Sequence, residues 1–352
     1  MFKPDSLTLS LLDDLEERID PEVEEDFKDQ WRVFFNGGYR GDVFTPKRQK
    51  LSPPKIKWPD VNINDAINDY GLMLISELAR ASAAINSSSR IPCIRANYGT
   101  GIMTSLFGAE IFMMPRENNT LPTTRPLDDT DKIKQIIEKG VPSHENGFGK
   151  DVFAFGHICA ELFERYPKIK KYVTVYHPDL QGPLDVCELL WGCEMFYAMY
   201  DEPETVHAML GLITETYTEV MKKWNKIYSP DPEMNPHWQS FYHKGSIVLR
   251  SDSAMNVSPE LYEEFSLPYD KQLLDTFGGG VVHFCGRGDH YIESICSLPN
   301  MYGINMSQPT YNDMEKIFGA TVDKGIPILG FNGKFVQSYI ERKGAFNHYL
   351  HS

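Results

Sequence analysis

The sequence of 352 residues contains no uninterrupted apolar stretch of the roughly 20 residues that a membrane-spanning helix needs. Its first five residues, Met1 to Asp5, also lack the cationic start and apolar run of a secretory signal peptide. Basic residues are fewer than acidic ones. The chain has 35 Lys and Arg and 49 Asp and Glu, which gives a net charge of -14. Nucleic acids and anionic membranes bind basic surfaces, so we expect neither as a partner.

Two further patterns are missing. The six cysteines are scattered in apolar contexts without the spacing of a disulfide framework, which favours a reducing, cytoplasmic location. The segment Asn97–Gly101 follows a predicted strand but lacks the third glycine of a dinucleotide-binding fingerprint. We therefore do not expect a nucleotide cofactor bound in that way.

The chain does contain an alternation of strand-like and helix-like segments, which indicates right-handed βαβ units and an α/β fold. About seven strands are readable, and an eighth is predicted within Trp238–Tyr242. We predict a (β/α)₈ TIM barrel spanning residues 61–352, with an open doubly wound sheet as the alternative. The predicted strands are 91–97, 111–114, 172–177, 246–250, 281–285, 302–306 and 326–331.

Residues 1–60 are predicted to form a helical, mostly external N-terminal extension followed by a basic loop. Asp20 and Pro21 are typical of a helix start, with Asp as the cap and Pro in the first turn. The following stretch, 36–59, is rich in Gly, Pro and basic residues such as Arg40 and Arg48. It could hold an anionic substrate tail, although a solvated connector is the favoured interpretation.

The segment around which we organise the functional analysis is Gly278–Gly286, with the sequence GGGVVHFCG. Side chains alternate along a strand, so His283 and Cys285 should point to the same face. An imidazole and a thiol side by side supply two of the three protein ligands of a catalytic zinc site. The alternative is an inert buried cysteine beside a histidine, since such pairs also occur by chance.

Polar residues follow the other predicted strands, at the end where a (β/α)₈ barrel has its active site. The candidate catalytic residues are Asp252, Asp179 and His177. Alternatively, Asp252 and Asp179 could stabilise turns, and His177 could be a hydrogen-bonded histidine of the core. The candidate substrate-binding residues are Asn97, Tyr98, Gln181, Asn305, Gln308 and Asn332.

Several motifs of the chain resemble the uroporphyrinogen decarboxylase superfamily over roughly residues 90–335. They are HPDLQGPLD at 177–185, SDSAM at 251–255, SPELYEEFSLPY at 258–269 and HFCG at 283–286. The resemblance implies a (β/α)₈ barrel with its pocket at the carboxyl ends of the strands. It also implies a homodimer, because members of the family commonly dimerise.

Within this superfamily, the chain looks closer to the corrinoid-dependent methyltransferases than to true uroporphyrinogen decarboxylases. The early arginine-rich segment of the decarboxylases has no match here; the nearest segment is 37–41. The methyltransferases hold zinc with a His-x-Cys pair, matched by His283 and Cys285, and a later cysteine, whose place near 329–333 has none. Asp252, Asp179 or Cys93 could supply the third ligand, whereas Cys296 is a poorer geometric substitute.

Three functions therefore remain open. The first is methyl transfer between a methylcorrinoid carried by a partner protein and a small acceptor, with zinc at His283 and Cys285. The second is a cofactor-free carboxy-lyase that uses Asp252 or Asp179 on a tetrapyrrole or smaller acid. The third is a non-catalytic binding component of a corrinoid methyl-transfer system.

Overall fold

The computed structural model describes residues 2–352, which form a mixed α/β fold. The strands are β1 (Val43–Phe44), β2 (Cys93–Ile94), β3 (Ile111–Phe112), β4 (Thr123–Thr124), β5 (Thr174–Val175), β6 (Asn235–His237), β7 (Phe241–His243), β8 (Ile247–Arg250), β9 (Gly280–Phe284), β10 (Met301–Met306) and β11 (Leu350–His351). Most are short, so much of the central sheet consists of brief pairings between extended segments.

The α-helices surround these strands. In chain order they are α1 (Ser6–Arg18), α2 (Pro21–Phe35), α3 (Ile63–Asn68), α4 (Tyr70–Ile85), α5 (Ile102–Leu106), α6 (Thr130–Lys139), α7 (Gly149–Phe163), α8 (Pro167–Tyr172), α9 (Pro183–Trp191), α10 (Glu194–Asp201), α11 (Pro203–Asn225), α12 (Pro259–Phe265), α13 (Leu267–Thr276), α14 (Ile292–Cys296), α15 (Met314–Ala320) and α16 (Gly333–Val336). Five 3₁₀ helices cover Arg116–Asn118, Ser253–Asn256, Pro309–Tyr311, Val322–Lys324 and Gln337–Tyr339. Within the described residues, no helix is long and apolar enough to cross a membrane.

Parallel pairing organises the strands into two arrays. β8, β9 and β10 pair side by side, and single parallel bridges continue from Ile304 to Ile328 and from Ile328 to Leu350. β11 then pairs in parallel with β1. The second array consists of β2 and β5. The strands predicted at 246–250, 281–285 and 302–306 are confirmed, whereas 326–331 is reduced to the two isolated bridges at Ile328.

Two of the predicted strand segments form antiparallel pairs and do not join the parallel arrays. The stretch 238–242 contributes no parallel strand, because β6 and β7 form an antiparallel hairpin that turns at Trp238–Ser240. β3 pairs antiparallel with β4 outside both parallel arrays. Conversely, the sequence analysis missed β1 and β11, each only two residues long and too short to show a periodic pattern.

Both faces of the parallel strands are buried, which is typical of parallel sheets. Val248, Val281 and Leu329 share one hydrophobic cluster with Trp31 of α2, while their neighbours in sequence join the larger cluster beneath the other helices. Trp31 lies 5.1 Å from Phe44 between ring centroids. Helix α2 thus covers one face of the strands.

The N-terminal helices are confirmed, with Asp20 accepting a hydrogen bond from the Glu22 N–H at the start of α2. Each of them buries one face, which includes Leu11, Leu15 and Phe27, and leaves its other residues partly or fully exposed. β1 also lies in the sheet with the chain's last strand. The division at residue 60 remains a prediction.

Arg48 shows that the basic loop is not wholly solvated. Its guanidinium is buried and pairs with Glu24 at 2.7 Å. It also donates to the carbonyls of Ala84, Ser87 and Arg90 at the end of α4 and in the following turn. The loop is therefore attached to helices α2 and α4 through a buried ion pair.

Gly182 allows α9 to begin directly against β8, where the site lies. A β-carbon at this position would lie 2.0 Å from the Arg250 carbonyl oxygen, whereas one at Gly211 on α11 would meet nothing within 4 Å. We expect Gly182→Ala to destabilise the protein by about 1–3 kcal/mol through overpacking against backbone. Gly211→Ala is the matched control and should stabilise by about 0.5–1 kcal/mol, since alanine is the better helix former. Denaturant unfolding measures both, and equal effects of the two substitutions would contradict this account.

Candidate metal centre

The candidate site lies where β8 and β9 end side by side. The register pairs Arg250 with His283, and the Ser251 N–H donates to the His283 carbonyl. Two residues after this pair on each segment, Asp252 lies beside Cys285. The parallel register alone therefore brings a carboxylate to the His-x-Cys pair.

Asp252, His283 and Cys285 each present a ligand atom, and these atoms all lie within 4.8 Å of one another. The Cys285 Sγ is 3.3 Å from the His283 Nε2, and the Asp252 Oδ1 is 3.6 Å from the same nitrogen. The prediction that His283 and Cys285 share a face is thus confirmed. Asp252 has the geometry of a third ligand, whereas Asp179 and Cys93 lie outside this group.

Asn305 determines which ring nitrogen of His283 faces Asp252 and Cys285. The Asn305 amide Nδ2 donates to the Leu329 carbonyl at 2.6 Å, which leaves its Oδ1 as the acceptor opposite the His283 Nδ1 at 2.5 Å. Since Nδ1 must carry the proton for this bond, the Nε2 lone pair points toward Cys285 and Asp252. A histidine whose second nitrogen donates to a neighbouring oxygen is typical of metal ligation.

The protonation states of the pair follow from burial. Burial lowers the pKa of His283, an effect that the Asp252 carboxylate opposes without cancelling, so the ring is neutral near pH 7. Burial likewise raises the pKa of the Cys285 thiol, although the Ser307 hydroxyl 3.3 Å away acts in the other direction. Without a bound cation, the site therefore combines a neutral imidazole, a thiol and a carboxylate.

Two backbone-directed contacts hold Asp252 in place. Its Oδ1 accepts a hydrogen bond of 2.6 Å from the Cys285 N–H. Behind it, the buried Asp185 accepts from the N–H groups of Asp252 and Ser253 at 3.0 and 2.7 Å. Burial, followed by the nearby Asp252 carboxylate, raises the pKa of Asp185 to about 7. The sequence analysis quoted Asp185 only as part of a motif and missed this positioning role.

Asp179 lies in a separate, buried ion-pair network. It is 3.0 Å from a guanidinium nitrogen of Arg95 and 3.0 Å from one of Arg250, and it also accepts from Gln181. Burial opposes its ionisation, but Arg250 and Arg95 outweigh burial and hold its pKa below the usual range. Neither arginine was among the sequence candidates, although both lie near the carboxyl ends of predicted strands, 91–97 and 246–250, which is a signal that could have found them.

His177 is engaged with backbone. Its Nε2 accepts from the Val248 N–H at 3.0 Å, and its Nδ1 lies 2.8 Å from the Pro178 carbonyl. Burial, reinforced by Arg250, lowers its pKa to about 3, so the ring is neutral. This contact links the end of β5 to β8.

The remaining candidates lie around the site in different settings. Asn97 is hydrogen-bonded to Glu77 and Arg95, and Tyr98 is fully buried against Phe148. Gln308 accepts from the Gly286 N–H, next to Cys285. Asn332 is exposed and caps α16. These positions leave their assignment to substrate binding a prediction.

Two cavities take part of their lining from the candidate ligand group. One, of about 470 Å³, is lined by Asp252, Gln181 and Asp185. The other, of about 410 Å³, is lined by His283, Asn305 and Asn332, with Trp238 as an aromatic wall. Asp252 and His283 therefore each border a space large enough for a small molecule.

Comparisons with known proteins agree with the fold. No protein-family model matches the chain, and neither does any curated protein sequence. Among solved structures, the chain is similar to a methyltransferase from Methanosarcina mazei, with a TM-score of 0.59. That alignment covers 93% of this chain and 92% of the other at 14% sequence identity. At this identity the likeness establishes a shared fold.

Proposed function

We propose that the protein is a methyltransferase that moves a methyl group from a methylcorrinoid carried by a partner protein to a small acceptor held at Asp252, His283 and Cys285. The observation that carries this proposal is the convergence of three ligand atoms within 4.8 Å, one of them a histidine Nε2 freed by Asn305. The fold shared with a methyltransferase and the motifs noted in the sequence support it.

The residues fit a zinc-class cation. Imidazole nitrogen, thiolate sulfur and carboxylate oxygen are all zinc ligands, and three protein ligands leave one position for a substrate. When bound, such a cation supplies a Lewis acid that keeps a thiol deprotonated near neutral pH. Asp252 and Cys285 would contribute two negative charges against the cation's two positive ones, while His283 stays neutral.

The chain's own residues would prepare the acceptor for transfer. Asn305 holds the His283 ring, the Cys285 N–H donates to the Asp252 carboxylate, and the Asp252 N–H donates to Asp185. Such fixed groups reduce the reorganisation needed when the acceptor attacks the methyl group. The cavity beside Asp252 and the cavity beside His283 offer separate places for the acceptor and the methyl donor.

We also propose that the strands complete a (β/α)₈ barrel. Eight parallel segments are available: the pair β2 and β5, and the array β8, β9, β10, Ile328, β11 and β1. A hydrogen bond from the Val248 N–H to His177 spans the gap between β8 and the end of β5. The site would then lie at the carboxyl ends of the strands, where barrel enzymes have their active sites.

The carboxy-lyase alternative receives less support from the site. It needs a carboxylate that is free to stabilise a protonated intermediate, and Asp179 is already paired with Arg95 and Arg250. Asp252 remains available to it. Turnover of porphyrinogens by the purified protein would favour this alternative over methyl transfer.

The metal content of protein purified without chelator tests the proposal. We expect about one zinc per chain in the wild type and in Cys296→Ala, and little in Cys285→Ala, because only Cys285 belongs to the ligand group. Cys296 provides the matched control, being a partly buried cysteine at the end of α14. Zinc-loaded protein should then transfer the methyl group from methylcobalamin to a small thiol as the acceptor. The absorbance of the corrinoid measures this reaction. Absence of zinc uptake by the wild type would refute the zinc mechanism, and zinc without transfer would refute the thiol acceptor.

A further inference from the structure

The turn of the β6–β7 hairpin has an unusual backbone. Trp238 has a φ of 47° and Gln239 a φ of 63°, and the Ser240 N–H donates to the His237 carbonyl at 2.9 Å to close the turn. Two-residue turns with positive φ at both positions favour Asn and Gly, since a β-carbon clashes with the backbone there. Here the two positions hold a tryptophan and a glutamine. Backbone strain of this kind occurs preferentially at functional sites.

Gln239 fixes the turn to β2 and to the segment before it. Its side-chain Nε2 donates to the Cys93 carbonyl at 3.1 Å, and its Oε1 accepts from the Arg90 guanidinium at 3.0 Å. Its own carbonyl accepts from the Ile91 N–H. With three tertiary hydrogen bonds and only 2% exposure, Gln239 compensates for the strain and prevents the turn from shifting.

The fixed turn places Trp238 against the proposed metal ligand. Its ring centroid is 4.7 Å from that of His283 with the planes 74° apart, an edge-to-face contact. The Arg250 guanidinium lies 4.9 Å from the same indole, within the range of a cation–π contact. The indole also lines the 410 Å³ cavity together with His283 and Asn305.

We infer that Trp238 is a positioning residue for His283, and that the strained turn exists to hold its indole against the imidazole. Asn305 supplies one hydrogen bond to the ring, which by itself permits rotation about the Cβ–Cγ bond once that bond breaks. The indole blocks this rotation on the cavity side and keeps Nε2 directed at Cys285. The consequence of this positioning for cation binding rests on the proposed function, whereas the effect of Trp238 on the His283 imidazole does not.

The ring nitrogens of His283 provide a direct test. In ¹⁵N-histidine-labelled protein, the His283 signals are assigned by their loss in His283→Gln. We expect the wild type to show one tautomer, protonated at Nδ1, and Trp238→Phe to retain it because an aromatic edge remains. Trp238→Gly, which removes the backbone strain, and Trp238→Leu, which keeps it, should both show averaged or mixed tautomers. A purely structural role would change the melting temperature only, so wild-type ring signals in either folded variant would overturn the inference.

Zinc affinity, measured by competition with a chromophoric chelator, is the second readout. We expect Trp238→Gly and Trp238→Leu to bind zinc about tenfold more weakly than the wild type, as for loss of other groups that orient a metal ligand. Unchanged affinity in both variants would contradict the inferred consequence. If the wild type binds no zinc, the proposed function fails while the tautomer result still decides the role of Trp238.

Discussion

Asp252→Asn is expected to reduce zinc affinity by more than the ~10–100-fold that loss of an outer-shell partner costs. The asparagine preserves the shape of the side chain, and its amide oxygen can still accept the hydrogen bond that Asp252 accepts from the Cys285 N–H at 2.6 Å. What changes is the charge, and a neutral amide is a much poorer zinc ligand than a carboxylate. The substitution therefore separates ligation by Asp252 from its role in shaping the turn.

Ser307→Ala is the matched control for this experiment. The Ser307 hydroxyl lies 3.3 Å from the Cys285 Sγ, yet serine is not part of the ligand group. We expect its loss to weaken zinc binding by less than tenfold, below the range of about 10–100-fold that loss of an outer-shell partner usually costs. Competition with a chromophoric chelator at constant pH measures both variants. Equal affinities of Asp252→Asn and the wild type would exclude Asp252 as the third ligand and return the choice to residues outside the group.

The sequence predicted the His-x-Cys pair correctly because its geometry is local. Alternation along one strand suffices to place His283 and Cys285 on the same face, and the Sγ–Nε2 distance of 3.3 Å agrees. The choice among the candidates for a third ligand could not be made in the same way. It depends on the register of β8 against β9, which pairs Arg250 with His283 and is fixed by tertiary packing.

Other parts of the site were hidden for the same reason. Asn305 was predicted to bind substrate, which stays a prediction, whereas its contacts with His283 and the Leu329 carbonyl, from the two neighbouring segments, were not foreseen. Trp238 lay in a stretch whose aromatic content indicated a strand, and only the positive φ angles reveal a hairpin turn. Local composition predicts that a polar or aromatic residue lies near a strand end. Which atom it contacts is decided by long-range pairing.

Asp179→Asn is expected to destabilise the protein by about 3–5 kcal/mol, the usual effect of breaking a buried ion pair. The carboxylate lies 3.0 Å from both Arg95 and Arg250, and all three side chains are at least nine-tenths buried. Without its charge, two guanidinium groups remain close together with less compensation in a medium that screens them weakly. Denaturant unfolding gives the free energy of unfolding.

A double-mutant cycle with Arg250→Met identifies the cause. If Asp179 acts mainly through the ion pair, the double variant should be less destabilised than the sum of the two single variants, because each removes part of the other's unpaired charge. Additive effects would show that the pair contributes little. Zinc affinity of Asp179→Asn, measured where it is folded, should match the wild type, since Asp179 lies outside the ligand group. A loss of methyl transfer in this folded, zinc-loaded variant would support the catalytic role predicted from the sequence. Retained methyl transfer would instead show that Asp179 holds β8 and the segments around it in register.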